Sequence, residues 1–135
     1  MVAVEVVKRK VAEAEERLQA AELRAERAQV CGDAADRDLA AFYLFLAIQE
    51  VIDLAAHWLA DASWPAPAEA GLAFVVLADH GAIDRDLAEA LHKAVGLRNR
   101  IAHGYASVGH QRIFAELPEG ARQVRAFLVA VAKAA

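Results

Sequence analysis

The segment "GLRNRIAHGYASV", Gly96 to Val108, gathers two arginines, an asparagine, a histidine and a tyrosine between Arg98 and Tyr105. Histidine is the side chain best placed to exchange protons near neutral pH. Arginine supplies a fixed positive charge in a fork that fits phosphate, and it is most useful where negative charge builds up in a transition state. Together these residues suit metal-independent cleavage of RNA, in which the 2′-hydroxyl attacks the adjacent phosphate. That reaction needs one group to take a proton and another to give one, whereas one motif offers a single histidine, His103. A two-fold dimer carrying two motifs would supply the pair.

Spacing constrains the arrangement. On a helix, Asn99 and His103 share a face, and Arg100 and His103 lie on an adjacent one. Arg98 and His103 stand about 140° apart on an ideal helix and cannot point at the same atom. They can converge if the helix loosens at Gly104, or if the site is shared between two chains. Arg98 also falls on the line of an apolar stripe, where a charge is costly without a partner. Asp53 and Glu50, on the second helix, are the partners available within the chain, and Asp53 is the expected one. Geometry alone leaves two readings open: a buried clasp between helices, or a functional arginine.

The surroundings favour function. From Ala90 to Ala115 there is no Asp or Glu, while Lys93, Arg98, Arg100, Arg112, His92, His103 and His110 fall inside. A net charge of −4 argues against wholesale coating of nucleic acid. The window therefore reads as a local positive site on an acidic body, suited to a phosphate-bearing ligand. Arg100 is either a contact to RNA backbone or a solvated side chain. His103 and His110 lack carboxylates or cysteines nearby to complete a metal site. There is no Gly-rich phosphate loop, serine elbow or supported Cys/His pair, so no metal or cofactor is expected.

Composition bounds the rest. A chain of 135 residues, 58% hydrophobic and 25% charged, reads as one globular domain over residues 1–135. The single cysteine, Cys31, fits a reducing compartment. Charges from Glu5 and Lys8 onward interrupt any signal-like region. The longest apolar run, "LAAFYLFLAI", is ten residues, short of the roughly 20 that a membrane span requires. A soluble, cytoplasmic protein is expected.

The pattern predicts an all-α bundle of about five helices. The first runs from Val2 to about Gln29, with a seam of Val4, Val7, Val11, Ala14, Leu18, Ala21, Ala25 and Ala28. "CGD" at Cys31 to Asp33 breaks it, Gly32 as C-cap and Asp33 as the next N-cap. The second helix, about Ala35 to Asp61, is apolar almost all round, with Leu39, Phe42, Leu46, Gln49, Ile52, Asp53, Ala56 and Leu59 read as its buried surface. Such a helix lies in the centre of a bundle or in an oligomer interface. "SWPAP" ends it, and a third helix follows from about Ala68 to Asp79. Asp84 caps a fourth helix that carries the motif, with Leu87, Leu91 and Val95 inward. A fifth is predicted from Leu117 to Lys133, with Pro118 in its first turn. Trp58 and Trp64 read as packing, His57 and His80 as structural or solvated, and His110 as a neighbour able to assist RNA binding.

Taken together, "LRNRIAHGY" resembles the Arg-X4-His-X-Tyr motif of the HepT toxins, a branch of the HEPN superfamily of small α-helical proteins. The resemblance extends from about Asp36 to Lys133 through "AIQEVIDLAAHWLAD", the proline-containing break and "FVVLADHGAID". It implies a dimer whose two motifs face each other in a cleft and cleave RNA without metal. It further implies Arg98 and His103 as catalytic, Asn99 as a phosphate- or histidine-positioning group, and Tyr105 as the tyrosine to which an MntA-type nucleotidyltransferase antitoxin transfers AMP. Two rival expectations are a non-catalytic accessory module that binds a nucleotide or a nucleotidyltransferase, and a helical adaptor in which Arg98 is only a clasp.

Overall fold

A computed structural model describes residues 4–135, with the side chains of residues 105–108 outside that description. It contains α1 (Val4–Cys31), α2 (Ala34–Asp61), α3 (Leu72–Asp79), α4 (Arg85–Val108) and α5 (His110–Ala134), and no strand among the described residues.

Small side chains set the first pairing. Ala14, Leu18 and Ala21 are fully buried, and Ala25 and Ala28 nearly so. With alanine at four of these five positions, α1 and α2 make the most extensive contact in the bundle. The turn joining them is two residues long. Gly32 takes a left-handed φ of +68°, which only glycine adopts cheaply. Asp33 caps α2 by accepting from the Ala35 amide at 2.9 Å. Asp36, 4% exposed, accepts from Arg24 Nη1 at 2.9 Å and lies 3.7 Å from Arg27 Nε. Its buried charge is thus paired across the hairpin.

α2 is the central helix and touches each of the other four. Its buried arc is Ala40, Ala41, Leu44, Ala47, Ile48, Val51, Leu54, Ala55 and Leu59. This corrects the expected arc, of which Leu59 alone is fully buried; Phe42 is 52% exposed, Ala56 is exposed, and Leu39, Leu46, Gln49, Ile52 and Asp53 are half-buried. A helix apolar on nearly every side gives periodicity nothing to choose between, so the neighbours decide which side is covered. By length and composition α2 could also cross a membrane, with a mean hydropathy of 1.7 over its most apolar stretch. Here 44% of that stretch is buried inside the bundle.

α3 begins at Leu72, four residues later than predicted; the chain is irregular from Pro65 to Pro67 and then bends and turns through Gly71. Trp64 stacks on His80 at 4.2 Å and closes the α2–α3 connection. Phe74 and Phe127, both fully buried, meet edge to face at 5.3 Å, and Trp58 lies 6.0 Å from Phe127. These rings join α3, α5 and α2 at one end of the core.

α5 starts at His110, not Leu117, and Pro118 lies inside it. The stripe explains why. Ile113 and Leu117 are buried on the same face as Ala121, Val124, Leu128 and Val131, so the packing surface continues upstream through the proline. Pro118 is itself exposed, where the lost amide hydrogen bond costs least. Gly109, at φ +80°, supplies the single-residue turn between α4 and α5. Arg125 fastens α5 to α1, donating to Glu15 at 3.0 Å and to both carboxylate oxygens of Glu22.

Candidate functional site

Asp84 starts α4 as expected, accepting from the Leu87 amide at 2.8 Å. Leu87, Ala88, Leu91, Val95 and Leu97 are buried, and Arg98 follows at the edge of this face, half-buried against α2. Its Nη1 donates to Gln49 Oε1 at 2.7 Å, and its Nη2 donates to Asn99 Oδ1. The Nε is buried without a hydrogen-bond partner among the described residues. Glu50 Oε2 is likewise buried without a hydrogen-bond partner among the described residues.

The contact corrects one expectation. Asp53 does not meet Arg98 directly; it stands one step behind, accepting from Gln49 Nε2 at 3.3 Å. Asp53 Oδ2 also faces Lys10 Nζ of α1 at 3.8 Å, and Lys10 lies 3.8 Å from Glu50 Oε2. Glu50 thus faces α1 rather than Arg98. Gln49 is legible in the sequence only as part of the α2 surface, because a neutral acceptor leaves no mark in a pattern of charges.

Burial raises the Glu50 carboxyl above its ordinary pKa, an effect that Lys10 opposes and that Glu13 and Asp53 reinforce. The folded chain therefore binds this proton more tightly than the unfolded chain. Stability falls as pH rises through the folded-state value, and the full penalty stands only above it. Glu50→Gln is expected to raise the Tm where the wild-type carboxyl is ionised, with the gain shrinking as pH falls and that carboxyl takes its proton. Thermal unfolding of both proteins as a function of pH measures it.

Arg98 and His103 do not converge within one chain. The backbone does leave helical geometry at Gly104 (φ −166°, ψ 49°), but the break follows both residues. From Arg98 to His103 the helix is continuous, and about 140° of rotation separates them. His103, Asn99 and Arg100 are exposed. Tyr105 has a helical backbone beyond the break, and its side chain lies outside the described residues.

Arg100 lies along its own helix, its Nη1 passing over Gly96. It lines a groove of about 900 Å³ between α4 and α5, with Lys93 and Arg112 but also Glu89, Glu116 and Glu119. Arg98 and His103 do not line this groove, and Arg112 is paired with Glu116 at 3.3 Å. The groove is therefore of mixed charge and separate from the motif's two principal residues. His110 packs edge-on against Phe114 at 5.6 Å. Among the described residues no three His, Cys, Asp or Glu side chains come together to hold a metal ion.

The arrangement is thus a half-buried arginine held by a neutral amide, with an exposed histidine further along the same helix. Comparison with known proteins bears on the whole chain, for the model of the family described as ribonuclease HepT-like matches residues 8–131. This chain belongs to that family. Curated proteins gave no match. Among solved structures, it is similar to a tri-AMPylated HEPN toxin of Shewanella oneidensis in complex with an MNT antitoxin, at 22% identity and a TM-score of 0.86, covering 100% of each chain. It is similar also to a chain of an MntA–HpeT toxin–antitoxin mutant complex, at 21% identity and a TM-score of 0.85, covering 96% of this chain and 99% of that one. A third, a toxin–antitoxin crystal structure with AMP-PNP, gives 20% identity and a TM-score of 0.85 over 97% of this chain and 99% of that one. At these identities the likeness establishes the HEPN-type helical fold.

Proposed function

We propose that the chain is the toxin of a HepT/MntA-type (type VII) toxin–antitoxin pair and a metal-independent endoribonuclease, acting as a homodimer in the cytoplasm. The observation that carries this reading is the state of Arg98: among the described residues its fork is held by the side-chain amides of Gln49 and Asn99 rather than by a carboxylate. An arginine so placed keeps its attraction for phosphate. Family membership supplies the reaction class, and the unbroken helix between Arg98 and His103 supports a site assembled from two chains.

In the dimer, one copy of His103 takes the proton from the RNA 2′-hydroxyl as that oxygen attacks the neighbouring phosphorus. The second copy gives a proton to the departing 5′-oxygen. Arg98 stabilises the charge on the non-bridging phosphate oxygens, and Asn99 steadies its fork from the adjacent position. The P–O5′ bond breaks, leaving a 2′,3′-cyclic phosphate on one fragment and a 5′-hydroxyl on the other. Arg100, exposed on the same helix, contacts the RNA backbone.

Tyr105 is the regulatory position. AMP transferred to its hydroxyl by an MntA-type nucleotidyltransferase would place anionic bulk two residues from His103 and oppose phosphate binding there. The test uses partner-free protein whose mass shows Tyr105 unmodified, incubated with total RNA and tRNA in EDTA, beside the same protein AMPylated on Tyr105. Fragments from the first and not the second are expected. An inert, dimeric, unmodified protein would overturn the reading in favour of the accessory module.

A further inference from the structure

Four side chains from three helices form a line: Lys10 of α1, Asp53 and Gln49 of α2, and Arg98 of α4. We infer that Gln49 is a positioning residue for Arg98, and that its amide chemistry keeps the guanidinium charge available to RNA phosphate. The inference rests on the reading of Arg98 as the phosphate-binding group. An ionised carboxylate such as Asp53 can only accept, so it draws the Gln49 NH₂ toward itself and turns Oε1 toward Arg98. The opposite amide orientation would set donors against donors at Arg98. Asp53, expected to bind the arginine, instead fixes the direction of the group that does. Lys10 lies near both Asp53 and Glu50, so the negative charge on this part of α2 faces α1. A glutamate at position 49 would make an ion pair with Arg98 and compete with phosphate; an apolar residue would leave the charge free but unaimed.

Two variants separate these effects. Gln49→Glu and Gln49→Met are compared with wild type for cleavage of an RNA oligonucleotide, and for binding of its 2′-O-methyl analogue by fluorescence anisotropy. The analogue lacks the attacking hydroxyl, so its binding is read independently of cleavage, and Tm is recorded for each protein. For Gln49→Glu we expect affinity at least about ten-fold weaker and cleavage about a hundred-fold slower in a protein still folded at the assay temperature, although its new carboxylate also faces Asp53 and lowers the Tm. For Gln49→Met, affinity stays within about three-fold while kcat falls about ten-fold. Wild-type affinity and cleavage in Gln49→Glu would overturn the inference, as would losses in both variants that merely follow a fall in Tm. If wild type binds the analogue without cutting RNA, and Gln49→Glu loses that binding, the nuclease reading fails and Gln49 keeps its role. If wild type neither binds nor cuts, both fall.

Discussion

His103→Ala is expected to lower the rate of RNA cleavage by about a thousand-fold while moving the Tm by no more than about 2 °C. The side chain is exposed near the end of the helical stretch that stops at Gly104, so truncating it removes little packing. Its loss would be felt where a proton must leave the 2′-oxygen and another must reach the 5′-oxygen. In a symmetric dimer the substitution removes both copies at once, so neither step keeps its partner. Single-turnover cleavage with excess dimer, alongside thermal unfolding, measures both quantities. A well-folded His103→Ala dimer that cuts at the wild-type rate would remove His103 from the mechanism.

Arg98→Ala is expected to slow cleavage by between about a hundred- and a thousand-fold and to cost about 1–2 kcal/mol of stability. The second figure separates function from a structural clasp. Breaking a buried arginine–carboxylate pair from one side costs about 3–5 kcal/mol, because a charge is left behind. Here the group left behind is the Gln49 amide, which keeps its bond to Asp53. Arg98→Lys restores the charge but not the fork, and an ammonium cannot hold Gln49 and meet phosphate with the same geometry. It should fall between wild type and alanine in rate, and close to wild type in stability. Urea unfolding of the three proteins, paired with their cleavage rates, tests this. A loss above about 3 kcal/mol in Arg98→Ala would favour the adaptor.

Much of the scaffold was legible because single residues carried unambiguous signals. The alanine-rich seam of α1 is buried at Ala14, Leu18, Ala21, Ala25 and Ala28, and Gly32, Asp33 and Asp84 sit at the helix ends they were assigned. The misreadings share a cause: local pattern cannot weigh contacts made elsewhere. The apolar circumference of α2 concealed which arc faces the bundle. At Pro118 a strong local signal for a helix start was overridden by Ile113 and Leu117, which extend the buried stripe of α5. At the site, the motif itself located Arg98 and His103. The group that orients Arg98 was assigned to Asp53 because buried charge suggests opposite charge, yet a neutral glutamine one helical turn away takes that place. That choice of partner leaves Arg98 its charge, which the proposed function requires.

The most direct measurement of the account is the chemistry of the cut ends. Unmodified protein, purified alone and held in EDTA, is given an RNA oligonucleotide and the same oligonucleotide with a single 2′-deoxy residue at the mapped cleavage position. Attack by the 2′-hydroxyl predicts a 2′,3′-cyclic phosphate and a 5′-hydroxyl from the first, and an uncut second. Cleavage of the 2′-deoxy substrate at that position, or ends bearing a 5′-phosphate, would contradict it.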